Sequence, residues 1–348
     1  MPNIRKENSP AWLESVRKIL VIQLAPFGDV LLTTSYFEAL KARMPAARLF
    51  YLVKEPYHKI VENHPFIDRV LVLRRRSGMR YLLERLRLFK RIRDFGFDLV
   101  IDQQNLPSTQ EMVLASGARY RLGYEDERFR FVYNLRAKRG KIEYSAAERF
   151  SILGPLGITR QKYRLYFTVP EAAVRAIDSW LAGEKLSSKP LVCISPGSPM
   201  RRKKWRPAHY ARLADLIQGR LRHRVILLWG PREPGDAAAV LRLMRTRAVL
   251  APPTDLRHAA ALIRRCRLLV CNDGGLNHLA ATTRTPTLAI FGTTRPEYWS
   301  PAGEYSDRHY HLFNADADSE ADDSFGISPE AAFAEVRKIL KRHSGKAA

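Results

Sequence analysis

The chain has 348 residues, enough apolar content for two cores, and a formal net charge of +24 at neutral pH. No apolar run approaches the ~18 residues that cross a bilayer, and the opening MPNIRKENSPAWLESVRK holds no signal-peptide core, which sets aside a membrane-spanning or secreted protein in favour of a soluble cytoplasmic one. Cys193, Cys266 and Cys271 form no C-x-x-C pair and read as buried thiols.

The first strand-like run is KILVIQL, with a strand expected over Ile19–Leu24. After it, APFGD opens a helix with Val30, Leu31, Phe37 and Leu40 turned inward. A dinucleotide-binding turn needs G-x-G-x-x-G, and only Gly28 stands here, so this turn is not expected to hold a pyrophosphate. It offers a carboxylate instead, Asp29, at the carboxyl end of a first strand, where open α/β sheets place their ligands. The bland alternative is that Asp29 only caps its helix.

Strands are expected next at Arg48–Val53, Arg69–Leu73 and Leu99–Asp102. Between the last two lies GMRYLLERLRLFKRIRDFG, a basic amphipathic helix over Tyr81–Asp94. Met79, Leu82, Leu83, Leu86, Phe89 and Ile92 read as its core stripe, leaving Arg85, Lys90 and Arg93 to meet an anionic acceptor or a membrane surface. A second cationic stretch runs from Arg119 to Lys141. Nucleic acid, anionic lipid or a phosphorylated substrate would each satisfy such charge.

The polar LAGEKLSSKP, residues 181–190, is the expected domain break, giving an N-terminal domain over 1–180, a second over 181–325 and a C-terminal helix within 326–348 that packs back towards the first. Strands are expected at Leu191–Ser195, Val225–Trp229, Leu268–Cys271 and Thr287–Phe291, with helices at Pro207–Leu221, Gly235–Arg245 and Leu256–Arg264. The first of these strands runs into PGSPMRRKKWRP, where Ser198, Lys203 and Lys204 offer donors and charge of the kind a diphosphate leaving group needs. WGPREPGD places Glu233 in a comparable turn, able to accept from ribose hydroxyls.

The most informative stretch is RLLVCNDGGLNHLAA. Its turn passes from a buried strand through Asp273, Gly274 and Gly275 into a helix carrying His278 one turn in. Bare backbone N–H groups at a positive helix end suit nucleotide phosphates, though an Asn-Asp cap followed by a tight turn is the competing reading. The acidic run NADADSEADD contains Asp316-Ala317-Asp318, but a calcium loop counted from Asp316 would need Gly and Glu where Ala321 and Ile327 stand, so a solvated loop is expected. Alternating strands and helices throughout imply an α/β protein with parallel sheets covered on both faces.

Over most of its length the chain resembles glycosyltransferase family 9, the lipopolysaccharide core heptosyltransferases. The residues carrying the resemblance are KILVIQLAPFGDVLLTT, SPGSPMRRKKWRPAHYARLADLI, LLWGPRE and LVCNDGGLNHLAATTRTPTLAIFGTTRPEYWSP. The resemblance implies a GT-B fold of two facing Rossmann-like domains and metal-independent, inverting transfer from ADP-heptose, with no cofactor. It implies Asp29 as catalytic base and Lys203 on the phosphates, with Ser198, Glu233, Asp273, Gly274, Gly275 and His278 binding the donor. Where the family has Ser or Thr after the aspartate, this chain has Gly274. The implied partners are a phosphorylated lipid A core and the anionic inner-membrane surface, where the protein would sit peripherally from the cytoplasm, with no nucleic acid expected. Other readings are an epimerase or transferase using another nucleotide sugar, a basic nucleic-acid-binding protein, or a non-catalytic assembly protein.

Overall fold

The computed structural model describes residues 10–230, 234–303, 307–317 and 322–344. The chain divides into two units between Thr168 and Val169. The first holds strands β1 (Lys18–Ile22), β2 (Arg48–Lys54), β3 (Arg69–Leu73), β4 (Leu99–Asp102), β5 (Tyr120–Tyr124) and β6 (Leu135–Ala137). Its helices are α1 (Phe27–Thr33), α2 (Phe37–Arg43), α3 (Gly78–Phe95), α4 (Pro107–Ser116) and α5 (Ser145–Glu148). The second unit holds β7 (Leu191–Ser195), β8 (Arg224–Leu227), β9 (Val249–Leu250), β10 (Leu268–Asn272), β11 (Thr287–Ile290) and β12 (His309–Leu312). Its helices are α6 (Glu171–Gly183), α7 (Pro207–Leu221), α8 (Pro234–Leu243), α9 (Leu256–Arg264), α10 (Gly275–Thr283), α11 (Pro296–Trp299) and α12 (Pro329–Arg342).

Each unit is one parallel sheet. The first runs β3-β2-β1-β4-β5-β6 and the second β12-β11-β10-β7-β8-β9, which is the same order when each sheet is counted from its own first strand. β1 and β7, β4 and β10 are near-continuous apolar runs, buried almost throughout because helices cover both faces. This doubly wound order reverses direction between β1 and β4 and between β7 and β10, opening a crevice at the carboxyl ends of those strands.

The eight expected strands are all present, with ends shifted by a residue or two. Of the unexpected ones, β5, β6, β9 and β12, three lie at sheet edges, where burial and therefore hydrophobic patterning are weakest. β5 and β6 both fall inside the stretch read only as cationic. The unit boundary precedes the expected 180/181 break because α6 buries Ala173, Ile177 and Leu181 with Leu262 of α9. Helix α12 belongs to the second unit, where Ala332, Val336 and Ile339 join Leu213 and Ile217 of α7 in one core. The three cysteines are buried free thiols.

The stripe expected on α3 needs correction. Leu88 and Ile92 are its buried residues, packed among Leu20, Phe50, Leu71 and Leu73, while Met79, Leu82, Leu83 and Leu86 face outward. The helix carries two apolar stripes, and periodicity alone does not say which one the sheet takes. Of the three charges expected to point outward, Lys90 and Arg93 do so and Arg85 is drawn in. Arg85 pairs with Glu111 of α4, Lys90 stays exposed but bonds Asp94 at 2.9 Å, and the Arg93 guanidinium occupies the space a side chain on Gly117 would need.

Candidate functional site

In the first unit the turn after β1 carries Asp29 into the first turn of α1. No side chain caps that helix, so Asp29 is not its N-cap. Its carboxylate accepts from Arg149 Nη2 at 2.6 Å, and Arg149 Nη1 donates to Thr33 Oγ1 at 2.7 Å. The Thr33 hydroxyl in turn donates to the Asp29 carbonyl at 2.8 Å, closing a ring around the base of α1. Tyr51 OH donates to the Val30 carbonyl at 2.9 Å and ties the same turn to β2. Arg149 is 6 % exposed and Asp29 29 %, so the carboxylate is fixed from behind and still reachable.

Across the crevice, β4 ends in Asp102, wholly buried, whose carboxylate accepts from Thr109 and Tyr133 hydroxyls at 2.7 and 2.8 Å and from the amides of Gln104 and Asn105. Burial holds its carboxyl above the usual carboxylate range, against the pull of those donors. With its bonds directed into the turn it shapes, Asp102 is structural.

In the second unit the strand-end turns of β7, β10 and β11 meet. Lys203 Nζ lies 2.5 Å from Asp273 Oδ2, and Thr294 Oγ1 donates to the same oxygen at 2.5 Å. Asp273 is 1 % exposed and Lys203 15 %, so the carboxylate anchors a lysine whose side chain keeps some exposed surface. An ammonium carries three N–H donors, and Asp273 takes one. The lysine also sits 5.7 Å from the Trp299 ring, which lies 6.1 Å from the buried imidazole of His278.

Asn272 orders this edge. Its Oδ1 accepts from the Trp205 amide at 3.0 Å and Tyr210 OH at 2.9 Å, and its Nδ2 donates to the Pro196 carbonyl at 2.7 Å. One side chain thus binds the turn holding Ser198 and the turn holding Lys203 to the end of β10. Ser198 is itself buried, its hydroxyl accepting from the Met200 amide at 3.3 Å. Trp205 Nε1 donates to the carbonyls of Ser324 and Ile327 at 2.9 and 3.1 Å, and Arg206 pairs with Asp322 and Asp323, so the end of the acidic run is pinned to this turn. Asp318 and Ala321 of that run lie outside the described residues, as does Glu233. Lys204 turns away to Asp236 at 2.7 Å, which distinguishes it from Lys203.

Gly274 is the N-cap of α10, in extended backbone (φ 176°), and gives that helix no side-chain cap. The first-turn amides from Gly275 onward therefore present the positive end of a helix, beside the Lys203 ammonium, at the switch point of the sheet. The turn thus sets a lysine ammonium and a helix start side by side, with Thr294 and Lys203 both bonded to Asp273. Arg149, Thr294 and Trp299 were not singled out from sequence, and Asn272 was read only as part of its turn and as a possible helix cap. Thr294 stands in the turn after β11, at the same carboxyl edge, and Trp299 ends the short helix α11 that follows it; that position was the available signal. Arg149 had none, and the partners of Asn272 were hidden in the same way, since both bond to residues remote in sequence.

Residues 85–327 match the family model of glycosyltransferase family 9 (heptosyltransferase). The chain is 25 % identical over 301 residues to lipooligosaccharide heptosyltransferase 2 of Haemophilus ducreyi, covering 82 % of this chain and 86 % of that protein. It is 27 % identical over 311 residues to lipopolysaccharide heptosyltransferase 1 of Pseudomonas aeruginosa, covering 85 % and 83 %. Among solved structures it resembles a family 9 glycosyltransferase of Veillonella parvula (TM-score 0.83, 23 % identity, covering 93 % and 97 %). It also resembles ADP-heptose LPS heptosyltransferase II of Escherichia coli (TM-score 0.78, 21 % identity, covering 94 % and 100 %). Two parallel six-stranded sheets of the same order and these likenesses agree: the chain has the GT-B fold, belongs to glycosyltransferase family 9, the heptosyltransferase family, and is a glycosyltransferase.

Proposed function

We propose that the protein transfers a heptose, with inversion and without a metal ion, from ADP-heptose to the phosphorylated inner core of lipopolysaccharide. The observation that carries the reading is the Lys203–Asp273 pair beside the uncapped start of α10, which supports a diphosphate there. The names of the relatives support the sugar and the acceptor.

In this reading an acceptor hydroxyl attacks the anomeric carbon from the face opposite the diphosphate, through a transition state of oxocarbenium character. Asp29 takes the hydroxyl proton as the new C–O bond forms, and the bond to the diphosphate breaks with its electrons leaving on ADP. Lys203, Ser198 and the amides that follow Asp273 meet that charge, the task a metal ion serves elsewhere. Glu233 is assigned to the ribose. Gly274 supplies an amide and no hydroxyl, which leaves the diphosphate one donor poorer than a Ser or Thr there would.

The test is direct. Purified protein with ADP-heptose and a heptose-deficient core acceptor should release ADP and add one heptose by mass, in the anomeric configuration opposite to the donor's, undiminished by EDTA. Loss of activity that magnesium restores overturns the metal-independent route, and turnover of a UDP- or GDP-sugar in preference to ADP-heptose overturns the donor.

A further inference from the structure

The outer face of α3 carries Met79, Leu82, Leu83 and Leu86, with 69, 50, 44 and 52 % of their surfaces exposed. They follow the i, i+3, i+4, i+7 rule and so form one continuous apolar stripe along the first half of the helix. Single exposed leucines are ordinary, whereas four large apolar side chains on one exposed stripe call for a partner. At 100° per residue Arg80 and Arg87, both exposed, run along one border of that stripe, and the exposed Arg74, Arg75 and Arg76 lead into it. Of the acidic residues of the helix, Glu84 is half-buried, and Asp94 lies about two turns beyond the last leucine of the stripe, bonded to Lys90.

Position matters too. The sheet is parallel, so the β3–α3 turn and the β1–α1 turn emerge from the same edge, and the stripe begins at the edge that displays Asp29.

We propose that this stripe docks the protein on an anionic lipid surface, the leucines and Met79 entering the acyl boundary while the arginines bind headgroup phosphates. The proposal rests on the transferase reading only for its purpose, the delivery of a lipid-borne acceptor to the Asp29 edge. A second copy of this chain fits badly, since it would bring arginine against arginine. RNA fits badly as well, because stacking needs exposed rings, and those of Tyr81 and Phe89 lie under the Arg85 guanidinium at 5.7 and 5.3 Å.

The experiment is sedimentation of the full chain with vesicles of phosphatidylcholine alone or with about one-third phosphatidylglycerol, with ADP-induced thermal stabilisation measured on the same samples. The parent should bind the anionic vesicles and release them as salt rises. L83Q/L86Q should lose at least about tenfold in vesicle affinity while keeping its response to ADP. R80Q/R87Q should bind more weakly with a shallower salt dependence. Equal or tighter binding to neutral vesicles, parental binding by L83Q/L86Q, or tighter binding to an RNA oligomer than to the anionic vesicles would overturn the docking surface. Those results leave the ADP response untouched, so they are separable from failure of the transferase reading, in which vesicle binding persists and the ADP response is missing.

Discussion

Asp29 and Arg149 stand 120 residues apart in the chain and 2.6 Å apart in space, and the chemistry proposed for the first unit depends on that meeting. Arg149 touches no reacting atom in this reading; it positions the carboxylate and holds Thr33 with its other arm. Replacing Asp29 by Asn should lower kcat by roughly 10²–10⁴ while ADP binding stays at the parental value, because general-base loss acts on the chemical step alone. Turnover within about tenfold of the parent would remove Asp29 from that role. R149Q should also lower kcat at unchanged donor KM, with partial recovery in R149K, a pattern that general loss of stability does not produce. In the second unit, Lys203→Ala should weaken ADP binding by about ten- to a hundredfold, the loss of a charge-assisted bond, while Lys204→Ala does much less. Isothermal titration of both variants checks the assignment, and the reverse order would move the phosphate contact to Lys204.

Two glycines show how the elements of the second unit set the site. Gly274 begins α10 in extended backbone that any residue adopts, and a Cβ added there meets nothing within 4 Å. G274T should therefore fold with a melting temperature close to the parent's and bind ADP more tightly, by up to about tenfold for one added hydrogen bond. Weaker binding would place the diphosphate away from this turn. Gly292, just past β11, is the opposite case: a Cβ there would lie 2.8 Å from the Arg202 carbonyl and 2.7 Å from the Phe325 ring. The missing side chain lets the turn of Arg201–Lys203 close on the strand end. G292A should push that turn outward and reduce ADP affinity even where the protein remains folded, as circular dichroism with titration calorimetry would report.

Over the molecule as a whole, each unit buries an imidazole whose pKa burial lowers to about 4, His64 in the first and His309 in the second. The ordinary value is near 6.5, so below that pH the unfolded chain binds protons that the folded units refuse. Stability is full above about pH 6.5 and falls as pH drops towards 4, by up to roughly 3 kcal/mol for each histidine. Urea unfolding from pH 7 to 4.5 should show that decline, and H64N or H309N should flatten it for its own unit. An unchanged slope in either variant would mean that the imidazole takes up its proton without opening the fold.

The strands β1, β4, β7 and β10, and the glycine turns after β1, β7 and β10 with the acid or base each displays, were legible in the sequence, because buried parallel strands are apolar runs and their carboxyl ends must turn. The fold class followed from the alternation of such runs with helices, while the choice of Lys203 over Lys204 and the donor role of Asp273 came from the family resemblance. Edge strands such as β6 and β12 were not legible, since half of their surroundings is solvent and their residues carry little pattern. Nor was the choice between the two apolar stripes of α3, which the shape of the sheet beneath it makes. Arg149 behind Asp29, and Asn272 and Thr294 around the lysine site, were decided by tertiary structure alone. Hydrogen-bond partners are fixed by distance in space, and the chain records only distance along itself.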